Sequence, residues 1–290
     1  MAIYRSDLKR IVKTTLMLQR VWILAGLVGL YSLIPVLKEH SQYEGYFDFP
    51  SNIFSILGLV LSLILVFRTN RAYDRWWEAR ILWGKLVNIS RNLAIKCREF
   101  ADLDENERRQ LHRCIAGFSF ALKEHLRDGV SLTELPGWTN ATDDPAHVPA
   151  WLTGQMYHQI KSWERSGRMT PQELLAIDTD ADEFLNVCGG CERIRNTLIA
   201  RSYRSYAIKC LVLYLVVLPW GLVEELQWVT VPVSMILTYV MFGLETIADY
   251  VEEPFGYDLD DLDLEALCHT IDRTTAEILS VDRISESVST

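Results

Sequence analysis

Apolar residues gather in four uncharged blocks, at positions 21–37, 51–67, 210–223 and 229–244, and between the blocks the chain is mixed and polar. At a helical rise of about 1.5 Å per residue, each of the first two blocks covers roughly 25 Å, enough to cross a bilayer with modest help at its ends. The last two are shorter and, taken alone, would also suit buried core helices. Their flanks favour crossing: Lys209 and Glu224 can extend charged ends outward, Trp220 and Trp228 suit the interface, and only residues 224–227 separate the pair. The pattern predicts four membrane-spanning helices in two hairpins.

Between the second and third blocks lies a polar stretch, 68–206, with helical periodicity of its own. Leu111, Ile115, Phe118, Leu122 and Leu126 recur along one helical face. Thr170, Pro171 and Glu173 form a capping box with proline at the first helical position, opening a helix expected to run toward residue 187. The segment "DGVSLTELPGWTNATDDPAHVP" is rich in turn formers and reads as an exposed connection. No run alternates apolar and polar well enough for a strand. The expected fold class is all-α, divided into an N-terminal segment (1–20), helices one and two (21–67), a helical cytoplasmic domain (68–206), helices three and four (207–247) and an acidic C-terminal segment (248–290).

Basic residues orient the chain. Arg5, Lys9, Arg10, Lys13 and Arg20 precede the first block, and Arg68, Arg71, Arg75 and Arg80 follow the second. Arg201, Arg204 and Lys209 precede the third, whereas the loop 38–50 carries Lys38 against three acids. The positive-inside rule places both termini and the middle domain in the cytoplasm, as for a multi-pass inner-membrane protein. A cleaved leader is the competing reading of the N-terminus, but its apolar stretch is long and Ser32-Leu33-Ile34-Pro35 is a poor cleavage site, so residues 1–37 are expected to be retained. Composition agrees with a membrane protein, at 49% apolar and only 23% charged.

Enzyme chemistry is scarce. The six histidines, at 40, 112, 125, 147, 158 and 269, show no metal-protease spacing and are expected mostly at the surface. There is no glycine-rich phosphate loop and no nucleophile elbow. Cys188 and Cys191 in "CGGC" match a thiol pair, yet the other cysteines are scattered singly, so the glycines are expected to serve close helix approach instead. The sequon at 140–142 falls on the expected cytoplasmic side and is discounted. The remaining feature is a stripe on the second block: Leu59, Leu63 and Phe67 recur every four residues, with Ser55 and Ser62 elsewhere around the helix. Such a stripe either packs against a helix or lipid, or, repeated around an axis, builds stacked apolar rings that close a pore by dewetting.

Three segments in order, "FRTNRAYDRWWEARILWGKLV", "GGCER" and "EEPFGYDLDDL", resemble the signature segments of the bacterial branch of the bestrophin family, and the resemblance extends over roughly residues 5–280. It implies a homopentameric channel for small inorganic ions, in the lipid bilayer, with one pore on the fivefold axis lined by the second helix. It places the family's apolar neck on Leu59, Leu63 and Phe67, and a second narrow point, the cytoplasmic aperture, on Gln172, which would make that constriction polar. Asp258 and Asp261 match two carboxylate positions of the calcium clasp of eukaryotic members; no cofactor is required, and calcium is the one ion the resemblance allows. No nucleic-acid partner is implied. Eukaryotic members pass chloride and some bacterial ones favour cations. The net charge of −9, with Asp249, Glu252, Glu253, Asp258, Asp260, Asp261 and Asp263 near the fourth block, leans toward cations. The alternative from another class is a membrane-anchored cytoplasmic sensor or scaffold that uses the 68–206 domain and the acidic segment.

Overall fold

A computed structural model describes residues 19–42, 50–197, 201–258 and 260–285. Arg5, Lys9, Arg10 and Lys13 lie outside the described residues. The described chain is helical apart from turns and connections, and it forms two compact units.

Unit one takes the described residues of 19–74 and 201–252. It contains α1 (Gln19–Glu39), the first half of α2 (Ser51–Phe100), α6 (Arg201–Leu226) and α7 (Thr230–Glu252). A 3-10 turn, Gln227–Val229, separates α6 from α7, and there Gln227 takes a φ of 46°, left-handed backbone that breaks the helix. Among the described residues, three helical stretches are long and apolar enough to cross a membrane: Gln19–Glu39, Asn52–Phe100 and Ser202–Glu252, the last made of α6 and α7.

Small residues let these helices close up. A Cβ on Gly29 would stand 2.5 Å from the Met235 side chain, and one on Gly221 would stand 2.0 Å from Phe54, so the α1–α7 and α2–α6 contacts both depend on glycine. Trp220 donates to the Tyr31 hydroxyl at 2.8 Å, linking α6 to α1, and the Trp22 and Tyr239 rings meet at 4.4 Å between α1 and α7. Phe54, Leu61, Leu211, Leu215 and Leu218 form the core of the unit. Its outside is apolar: Leu27, Leu30, Ile34, Leu213 and Ile236 are exposed, as suits lipid and not water.

Unit two takes 75–197 and the described residues of 253–285. It holds the second half of α2, then α3 (Glu105–His125), α4 (Val148–Arg165), α5 (Pro171–Asn196) and α8 (Leu264–Leu279) around one core that includes Trp83, Leu111, Phe118, Trp163 and Phe184. The capping box at Thr170 and Glu173 opens α5 as expected, and Asp104 with Glu107 opens α3 in the same way. Two expectations change. Helix α5 runs on past 187 to Asn196, and Gly190 lets it pack there: a Cβ on that residue would come 2.9 Å from Leu82.

The described residues of the segment 248–290 likewise divide between the two units. Helix α7 continues to Glu252, and the chain beyond it joins unit two through α8, whose Leu264, Cys268, Ile271, Thr275 and Leu279 are buried on one face. There His112, expected at the surface, is buried. Its Nε2 stands 3.0 Å from Asp272 and its Nδ1 3.1 Å from the Thr275 hydroxyl. Asp272 accepts from the Ile284 and Ser285 amides and the Ser285 hydroxyl, so both oxygens of this buried carboxylate are bonded.

Candidate pore-lining face

In unit one, α2 buries Phe54, Leu61, Leu65, Arg68 and Ala72. From Leu61 to Ala72 the spacings alternate four and three, the narrow seam of a helix packed along one side. At 100° per residue, Leu59, Leu63 and Phe67 fall on the opposite side of the helix. They are 72%, 54% and 56% exposed, so the chain's own helices leave them largely uncovered. The stripe therefore does not serve packing within one chain; it faces lipid, another copy or an aqueous axis. The serine at 62 satisfies itself, donating to the Leu59 carbonyl at 2.8 Å.

Sequence reasoning missed what fixes the rotation of that helix. Arg68, one of the basic residues that orient the chain, is fully buried. Its Nε lies 2.7 Å from both carboxylate oxygens of Glu245, its Nη2 3.2 Å from Asp249 and its Nη1 3.4 Å from Glu252. Arg204 also pairs with Asp249. Glu245, Asp249 and Glu252, spaced four and three apart, form one face of α7, and that spacing was the available signal. With Arg68 aimed inward at α7, the neighbouring Phe67 and the stripe above it must point away. Arg75 acts elsewhere, donating to the Ile194 carbonyl at 2.6 Å and to that of Thr197, and so caps the C-terminal end of α5.

Gln172 sits exposed in the first turn of α5, in unit two. Asp258 and Asp261 are brought together in the loop between α7 and α8, where the Asp258 amide donates to Asp261 Oδ2 at 2.6 Å. Calcium takes six to eight oxygens. Here Arg127 already holds the Phe255 and Gly256 carbonyls, at 3.0 and 2.9 Å, and stacks on the Tyr257 ring. Of the two matched acids, Asp261 offers Oδ1, which is buried without a partner, and Asp258 its exposed carboxylate. This set falls short of a calcium shell, and no step is derived through the ion.

Burial raises the Asp261 carboxyl from its ordinary 3.8 to about 6, the nearby Asp258 and Asp260 charges add to the rise, and the Asp258 amide and Arg127 oppose it. The folded chain thus takes up this proton before the unfolded chain does. Its destabilising effect is present above about 6, is relieved as pH falls through that value, and is gone below 3.8. Asp261→Asn keeps the acceptor for the Asp258 amide. It should stabilise the protein by about 1 kcal/mol near pH 8, after allowance for solvent screening, with the gain shrinking toward about pH 5 in thermal melts. A gain that grows on acidification would contradict this account.

The thiol pair is inert. Cys188 and Cys191 are buried; burial pushes the Cys188 thiol up to about 12 and the Cys191 thiol up as well. A second feature invisible to spacing rules is the convergence of His125, His147 and Glu192, drawn from three helical segments, with ligand atoms within 4.8 Å of one another.

The chain matches the family model described as bacterial/fungal bestrophin protein over residues 6–277. Among its relatives, a voltage-dependent anion channel-forming protein of Nostoc sp. is 32% identical over 239 residues, covering 78% of this chain and 76% of the relative. The YneE protein of Escherichia coli K12, with the same descriptive name, is 29% identical over 227 residues, covering 76% and 73%. The crystal structure of a bacterial bestrophin homologue from Klebsiella pneumoniae superposes with a TM-score of 0.82 at 25% identity, covering 89% of this chain and 98% of that one. The helical stripe, the buried α2–α7 charge cluster and the three signature segments thus sit within a single family fold: the chain belongs to the bacterial/fungal bestrophin family.

Proposed function

We propose that this chain assembles as a homopentamer in the inner membrane and conducts small anions such as chloride through a central pore, with four membrane spans per subunit and both termini in the cytoplasm. It is not an enzyme. The observation that carries the reading is the uncovered stripe of Leu59, Leu63 and Phe67, held opposite the packed seam of α2. Five copies facing one axis make three stacked apolar rings, where an ion sheds water and gains no protein dipole in return, so widening or wetting the rings sets conduction. Gln172 would line a second, polar constriction on the cytoplasmic side.

The case for cations weakens once the acids are placed. Asp249 and Glu252 are engaged with Arg68 and Arg204, Asp263 caps α8 through the Ala266 amide, and Asp261 takes the Asp258 amide. The descriptive names of the relatives point to anions. In bilayers with asymmetric sodium chloride, the current should reverse near the chloride equilibrium potential. Reversal near the sodium potential would overturn anion conduction while leaving the channel intact. A purified monomer that never conducts in liposomes would instead favour the anchored sensor.

A further inference from the structure

We propose that His125, His147 and Glu192 form a binding site for a divalent transition metal ion of the zinc class, one that clamps three helical segments of unit two. His125 Nε2 and His147 Nε2 approach the same oxygen, Glu192 Oε1, at 2.7 and 2.9 Å, and the two rings lie 4.7 Å apart. Two imidazoles and one carboxylate are a donor set that binds zinc, cobalt and nickel and leaves further positions for water.

Each donor is held from outside the site. The main-chain carbonyls of His125 and Arg127 are both gripped by Arg195, which fixes the end of α3 against α5. His147 is the N-cap of α4, its Nδ1 accepting from the Ala150 amide at 3.1 Å. Glu192 stands one turn after the buried Cys188 on α5. All three donors are half-buried, open enough for an ion to enter from water.

Without metal, the carboxylate has another use. Because His147 Nδ1 accepts the cap bond, its Nε2 carries the proton and donates to Glu192. An ion at Nε2 must displace that proton. If the proton moves to Nδ1, the Ala150 amide loses its acceptor, so metal uptake competes with the cap of α4. The loss of a cap costs roughly 1 kcal/mol, or about fivefold in affinity, which places this site below a closed structural zinc centre in strength. The structure therefore assigns it to an exchangeable ion.

The test uses untagged, chelator-treated full-length protein. Zinc titrated by calorimetry should bind at one ion per chain, and should raise the melting temperature by several degrees. Cobalt should give the visible bands of a nitrogen and oxygen donor set. Glu192→Gln and His125→Gln should each abolish the shift and weaken binding at least tenfold. If these variants fail to fold, the unaltered protein decides: zinc should shield His125 and His147, but not the exposed His158, from diethyl pyrocarbonate as mapped by mass spectrometry. Equal labelling with and without zinc, or uptake undiminished in the folded variants, overturns the site.

Discussion

Replacing Leu59, Leu63 and Phe67 together by alanine should raise single-channel open probability in planar bilayers severalfold. The expectation rests on two independent points. Each ring would lose most of its apolar bulk, so the constriction widens and admits water, and the dehydration barrier falls with it. The side chains are also largely uncovered within the chain, so removing them leaves no core cavity, and stability should change by no more than about 0.5 kcal/mol per site. A gating change without a melting change is therefore the signature. Leu213→Ala in α6, equally exposed at 66%, provides the control and should leave gating untouched. Unchanged conductance and gating in the triple variant would remove the stripe from the pore.

Arg68→Met should be the most destabilising single substitution, by about 3–5 kcal/mol, because it takes the central cation away from the buried Glu245 and Glu252. Arg68→Lys should fall between, since an ammonium cannot reproduce the forked bonds that the guanidinium makes to three carboxylates. Adding Glu245→Gln and Glu252→Gln to Arg68→Met should recover part of the loss, because the stranded charges go with the arginine. Melting of the detergent-solubilised protein, followed by tryptophan fluorescence, reads all three. An Arg68→Met protein that melts within a degree of the parent would show that the network contributes no net stability. The same substitution also tests the rotation of α2: without its inward anchor the stripe loses its fixed direction, so any surviving channel should show variable conductance.

Length and periodicity made much of this legible in advance. The uncharged blocks marked the apolar stretches of α1, α2, α6 and α7 because a hydrocarbon slab demands long apolar runs irrespective of neighbours. The capping box at Thr170 and Glu173 was readable because its bonds are local. The stripe on α2 was readable as a stripe, though not as the uncovered side of the helix. Other features depended on distant partners. Helices α2 and α7 continue beyond the ends of their apolar blocks, and charged residues there turn inward. Arg68 counted among the basic residues that orient the chain; its three carboxylates lie more than a hundred and seventy residues away. Of the acids near the fourth block, Asp249 and Glu252 pair with arginines that no local spacing reveals.

The amino-acid pattern alone determined that the chain is helical, that it enters a membrane, and which family it resembles, since each of these depends on runs, periods and short motifs along one strand of sequence. Only the tertiary structure decided which side of α2 is covered, that α8 folds into the core of unit two, and that His125, His147 and Glu192 meet. Those outcomes come from pairings between residues far apart in the chain, where burial and charge neutralisation select partners that no local spacing encodes.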